Sequence, residues 1–135
     1  MNEITVPYHF IVALTLSLLG LVTILLLRKR FFKRDNGNLI WITAIVFLTV
    51  YLFIVGQATY VDIYSQWDVN KYDLDMNGYF SERETTKEQK AAMQRLTNDT
   101  GRNFSVITGL AFSTFISAAT YFMATIYFRF FDSKV

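Results

Sequence analysis

The chain has no cysteine, one histidine (His9) and one proline (Pro7) in 135 residues. Without cysteine there are no disulfides, thiolate metal sites or cysteine nucleophiles, and the redox compartment stays open. A single histidine, no nucleophile motif and no phosphate-binding glycine loop leave no acid, base and nucleophile set, so the sequence argues against an enzyme. Charge is also sparse, 18% of residues with a net of +2. It is unevenly placed, with Arg28, Lys29, Arg30, Lys33 and Arg34 in one dense run. Beside an apolar segment, such a run signals membrane topology rather than nucleic-acid binding. What fills the chain instead is apolar and aromatic, including 13 Phe, 8 Tyr and 2 Trp, which suits water poorly as the sole solvent.

Three stretches are long and uncharged. Residues 4–27 carry no charge, and as a helix they rise about 36 Å, enough for a hydrocarbon core of ~30 Å. A cleaved signal peptide is the competing reading, but no basic residue precedes the run, the run is too long, and no small-residue cleavage site follows. The second stretch, 39–60, follows the turn residues Asp35, Asn36, Gly37 and Asn38, and the third is 104–128. Backbone in lipid must satisfy itself, and segments this long are not barrel strands of ~10 residues, so all three are expected to be helices. The expected fold is an all-α integral membrane protein, one membrane domain with transmembrane helices at 5–27, 39–60 and 104–128. Between the second and third lies an extramembrane insertion, 61–103.

The basic run should hold the first turn on the cytoplasmic side. The N-terminus and the 61–103 loop then face the exoplasm, and the C-terminus faces the cytoplasm, in a plasma or inner membrane. Tyr8, Tyr60, Tyr64 and Trp67 fall where the outer interface is expected, and Trp41, Tyr127 and Phe128 where the inner one is.

Within the loop, Asp73, Asp75, Asn77, Gly78 and Glu84 satisfy the pattern D-x-[DN]-x-[DN]-G-x5-E. Calcium is a hard cation that takes six to eight oxygens, and this stretch offers acceptors at alternate positions on a tight turn, then a carboxylate. The competing reading, a Ser81–Glu84 capping box after a polar turn, explains Ser81 and Gly78 but not acceptors at 73, 75 and 77. Over these 12 positions the chain resembles the EF-hand family. The resemblance implies a calcium ion held by the side chains of Asp73, Asp75 and Asn77, the backbone carbonyl of Tyr79, Ser81 through a water, and both oxygens of Glu84. No second loop is present, and extracellular modules work at dissociation constants of ~10⁻⁴ to 10⁻³ M, so the ion is expected to be structural.

The helix of the second span is expected to run on to Tyr72 as the first arm of a helix–calcium loop–helix hairpin. A helix over 85–96 forms the second arm, with Met93 and Leu96 packing on Tyr64, Trp67 or Tyr72, and 98–101 ends it. Ser105, Gly109, Ser113 and Ser117, each four apart, line one face of the third span with small groups, a device for close helix approach in lipid. The sequons at Asn98 and Asn103 read as a helix-end turn and a cap. His9 is the one residue that suggests a haem or pigment ligand, against the plainer reading of a polar group at the interface.

The function these features suggest is a non-enzymatic accessory or structural subunit of a larger membrane complex, with the bilayer and other integral membrane subunits as partners. The alternative is a calcium-regulated channel or transport component. A pigment- or haem-binding subunit built on His9 comes third.

Overall fold

The computed structural model describes residues 4–27 and 37–131. The basic run at 28–34, which carries the topology signal, the turn residues Asp35 and Asn36, and the tail 132–135 lie outside the described residues. Among the described residues every regular element is a helix: α1 (Tyr8–Leu26), α2 (Gly37–Asn70), α3 (Lys87–Thr97), α4 (Thr100–Asn103) and α5 (Ser105–Phe131). Three of them, α1, α2 and α5, are long and apolar enough to cross a membrane.

The apolar segments become helices without needing polar partners outside themselves. Thr15, Thr23, Thr43, Thr114 and Thr125 each turn the hydroxyl back to donate to the carbonyl four residues earlier, at 2.7–2.8 Å, so these side chains carry no free donor on an apolar surface. α1 starts later than the uncharged run. Pro7, with no N–H of its own, precedes the first turn, and its carbonyl accepts from the N–H groups of Phe10 and Ile11.

α2 is the central element, with α1 packed on one side and α5 on the other, while α1 and α5 barely touch. Phe10, Tyr51, Val55 and Ala58 form the buried centre, with Ala13, Leu14 and Val106 against it. The small-residue face of α5 is where it meets α2. A Cβ added to Gly109 would lie 3.2 Å from Ile54 Cγ2 and 3.4 Å from the Tyr51 ring, and Ser105, Ser113 and Ser117 are buried. Most other apolar side chains of the long helices point outward, Leu26, Phe115 and Met123 among them.

At its far end α2 runs well past the contact with α1, to Asn70. It stops two residues short of the expected Tyr72, because the next N–H groups bond locally: Tyr72 to Val69 and Asp73 to Asn70. The second arm also starts later than expected. The Ser81 hydroxyl donates to Glu84, whereas Thr86 is extended and accepts from the Gln89 N–H, so Thr86 caps α3. α3 packs on the Ser65, Asp68 and Val69 side of α2, where those residues and Gln89 and Ala92 are buried. Tyr64 and Trp67 therefore do not receive Met93 and Leu96. They are exposed away from it, the Tyr64 ring stacked on Tyr60 at 6.1 Å between centroids and tilted by 43° against Trp67 at 5.8 Å.

Candidate metal site and the polar layer beneath it

Three residues past the end of α2, the chain folds back on itself around its own carboxylates. The Asp73 carboxylate accepts from the backbone N–H groups of Asn77 (3.2 Å) and Gly78 (2.9 Å). Asp75 accepts from the Asn77 N–H (3.2 Å) and amide (2.6 Å), and the Asn77 side-chain oxygen accepts from the Tyr79 N–H at 2.7 Å. These short-range bonds are what Asp and Asn offer a turn. Gly78 has φ 86°, where a side chain is disfavoured and glycine is not. Met76, at φ 57°, takes the same left-handed region with a side chain attached.

Glu84 closes the loop. One carboxylate oxygen accepts from the N–H groups of Leu74 (2.8 Å) and Asp75 (3.3 Å), and the other from the Ser81 N–H (2.8 Å) and hydroxyl (2.7 Å). The Ser81 N–H and hydroxyl, and after them the N–H groups of Leu74 and Asp75, favour the charged form and outweigh burial, holding the Glu84 carboxyl below its ordinary value.

Asp73, Asp75 and Glu84 each bring one carboxylate oxygen within 4.8 Å of the others, with Asp73 and Glu84 buried and Asp75 exposed. Oxygens on opposite sides of one calcium ion, each at 2.3–2.6 Å, stand about 5 Å apart, so this spacing fits such an ion. A carboxylate has about four acceptor positions; the bonds above take two on Asp73 and two on Asp75, which keeps others for a cation, whereas the four donors on Glu84 fill its positions, so a bound ion would replace some of those bonds. Asn77, Ser81 and Tyr79 lie on the same loop with exposed side chains, Tyr79 at 80%. Ser81 is tied to Glu84 by its hydroxyl, the position from which the resemblance has it act through water. Among the described residues this trio is the one group of three or more His, Asp or Glu placed to share an ion. His9 is not in it: it is exposed on α1 with its ring against Phe10, 3.9 Å between centroids.

No protein-family model matches the chain. No curated protein and no solved structure matches it either.

Beneath the loop, packing assembles a polar layer that counting charges along the sequence does not show. Arg102, with its side chain 4% exposed, places Nε 3.2 Å from an oxygen of Asp62, close enough for ion pairing though not aligned as a hydrogen bond. Its other nitrogens donate to the Ser65 hydroxyl and the Leu96 carbonyl. Asp62 also accepts from the Gln66 amide at 2.8 Å. Gln66 in turn clasps the backbone of Thr5, accepting from its N–H (2.6 Å) and donating to its carbonyl (2.9 Å). Asp68 pairs with Arg95 and Lys71 at 2.8 and 2.7 Å, and its hydrogen bond raises the Lys71 ammonium above its ordinary value. The layer ties the segment before α1, the end of α2, α3 and α4 together. Two sequence signals were available: Asp62, the first charge past the uncharged run on α2, and Arg102, the last charge before the third run.

Proposed function

We propose that this chain is an integral membrane protein that acts as a non-enzymatic accessory subunit of a larger membrane complex, its exoplasmic loop at 73–84 ordered by a calcium ion. The observation that carries the metal reading is the 4.8 Å convergence of the Asp73, Asp75 and Glu84 oxygens on a turn that resembles an EF-hand loop. The membrane placement draws on the inverted surface of α1, α2 and α5, whose apolar side chains face outward instead of into a core. In water that surface would be unfavourable by roughly 25 cal/mol for each Å² left exposed, and in lipid it is not.

Bound calcium supplies positive charge to a loop whose carboxylates otherwise repel. The chain's own part is to present the oxygens. Asp73 and Asp75 sit on the arm that continues α2, and Glu84 sits across the turn, already hydrogen-bonded to both arms. The loop is thus joined to α2 on one side and, through α3 and the Asp68–Arg95 pair, to α2 again on the other. That double attachment suits a brace. The continuity of α2 from the apolar zone to within three residues of Asp73 favours a second reading, a calcium-regulated transport component.

Glu84→Gln keeps size and removes charge and bidentate reach. In lipid nanodiscs the wild-type chain should bind calcium by titration calorimetry and the variant should not. Unchanged affinity in the variant removes the metal reading. Chelation should raise hydrogen exchange between about Trp67 and Asn98. If it instead alters exchange along Ser105–Ser117, the regulated reading takes over. Native membranes should yield the chain with other integral membrane proteins at fixed stoichiometry.

A further inference from the structure

The segment before α1 lies against α2 without belonging to either helix. Residues 4–6 are exposed and non-helical, and Val6, coming before Pro7, is steered away from helical geometry. What holds them is Gln66, 61 positions away, whose amide takes both polar groups of the Thr5 backbone: Oε1 accepts from the N–H at 2.6 Å and Nε2 donates to the carbonyl at 2.9 Å. Both bonds are exposed. Loss of two hydrogen bonds of ordinary net strength is on the order of thirtyfold in an opening equilibrium.

The amide has to face the right way. Turned over, its NH2 group would meet the Thr5 N–H and its oxygen the Thr5 carbonyl, and neither bond would form. Asp62, four residues earlier on α2, decides between the two orientations. An ionised carboxylate only accepts, and one Asp62 oxygen takes a hydrogen of Nε2 at 2.8 Å. The other oxygen lies 3.2 Å from Arg102 Nε, so the carboxylate that orients the amide is itself held from α4. The start of α1 is thereby linked to the segment leading into α5, although α1 and α5 barely touch.

The segment also covers something. Ile4 lines a small apolar cleft whose other walls, Tyr60, Ile63, Tyr64 and Trp67, all belong to α2. Moving 4–6 away removes the one wall that α2 does not supply.

We propose that 4–7 is a strap that opens and closes over this cleft, with Gln66 as its latch and Asp62 as the positioning residue that keeps the latch oriented. The proposal rests on neither the calcium ion nor the bilayer placement.

Amide exchange of the full chain in nanodiscs tests it, with the Thr5 N–H as reporter. Gln66→Leu removes the latch at a half-buried helical position and should speed Thr5 exchange by on the order of thirtyfold, with α3 and α4 as slow as before. Asp62→Asn keeps the size but puts a donor where the amide needs a pure acceptor, and should speed Thr5 exchange as well. Added to Gln66→Leu it should do nothing more at Thr5, because Asp62 acts on the strap through Gln66. Full additivity there would mean that Asp62 loosens the whole layer and orients no latch. Thr5 exchange already as fast in the wild type as in Gln66→Leu sinks the strap altogether. Since the chain has no cysteine, Ile63→Cys reports on the cleft: a water-soluble maleimide should modify it faster once Gln66→Leu has opened the strap. An unchanged rate means that the strap covers nothing, and the proposal is wrong.

Discussion

Arg102→Met tests whether the buried polar layer holds α3 and α4 onto the end of α2. The Arg102 and Asp62 side chains are 4% and 14% exposed, so removing the guanidinium leaves Asp62 short of its countercharge in a place water reaches poorly. Breaking such a pair costs about 3–5 kcal/mol, and the low end applies because Asp62 keeps its Gln66 donor and some exposure. About 3 kcal/mol is on the order of a hundredfold in the local opening equilibrium. Native-state hydrogen exchange in nanodiscs reads this directly, since α3 and α4 amides report local opening. Exchange there should accelerate by about that factor in Arg102→Met, with α1 and α5 unchanged. Removing both charges, as Asp62→Leu with Arg102→Met, should recover most of the loss, because an apolar pair leaves no buried charge behind. Exchange as slow in Arg102→Met as in the wild type would falsify the idea that the ion pair anchors α3 and α4. A double variant no better than the single would mean that the Ser65 and Leu96 contacts matter more than the charge.

Two further outcomes concern the loop and its side of the membrane. Glu84 accepts from Leu74, Asp75 and Ser81, and these bonds, the Ser81 ones foremost, hold its folded value below the ordinary carboxylate value. The closure it contributes is therefore complete above that ordinary value and is lost as pH falls through the depressed one. Amide protection at Leu74 and Ser81, followed by NMR in chelator, should fade only below that ordinary value; loss between pH 6 and 7 contradicts the sign. For topology, Lys90→Cys is exposed on α3 and should react with an impermeant thiol reagent in intact cells, while Lys33→Cys should not. Ser65 is a poor reporter, because it is buried beneath Arg102. Labelling at 33 and silence at 90 reverses the orientation.

The three long helices were written in the sequence, because each needs only a run of uncharged residues whose backbone can satisfy itself. The turn at 73–84 was legible for a similar reason: the side chains of Asp73, Asp75, Asn77 and Glu84 accept from N–H groups within ten positions of themselves, that of Gly78 among them, so spacing alone specifies the turn. The start of α3 lay at the edge of that reach. Ser81 and Thr86 both have the chemistry of a cap, and the Ser81 hydroxyl's bond to Glu84 left the role to Thr86. Which faces meet was not legible. α2 is apolar nearly all round, so its sequence does not say which side takes α5 and which stays bare. Small groups on α5, with Gly109 set against Tyr51 and Ile54, decide that. Asp62 and Arg102 stand 40 positions apart, as do partners in any tertiary contact whose pairing depends on where the intervening chain travels. The same packing turned Tyr64 and Trp67 away from α3, because Asp68 draws Arg95, and α3 with it, to the opposite side of α2.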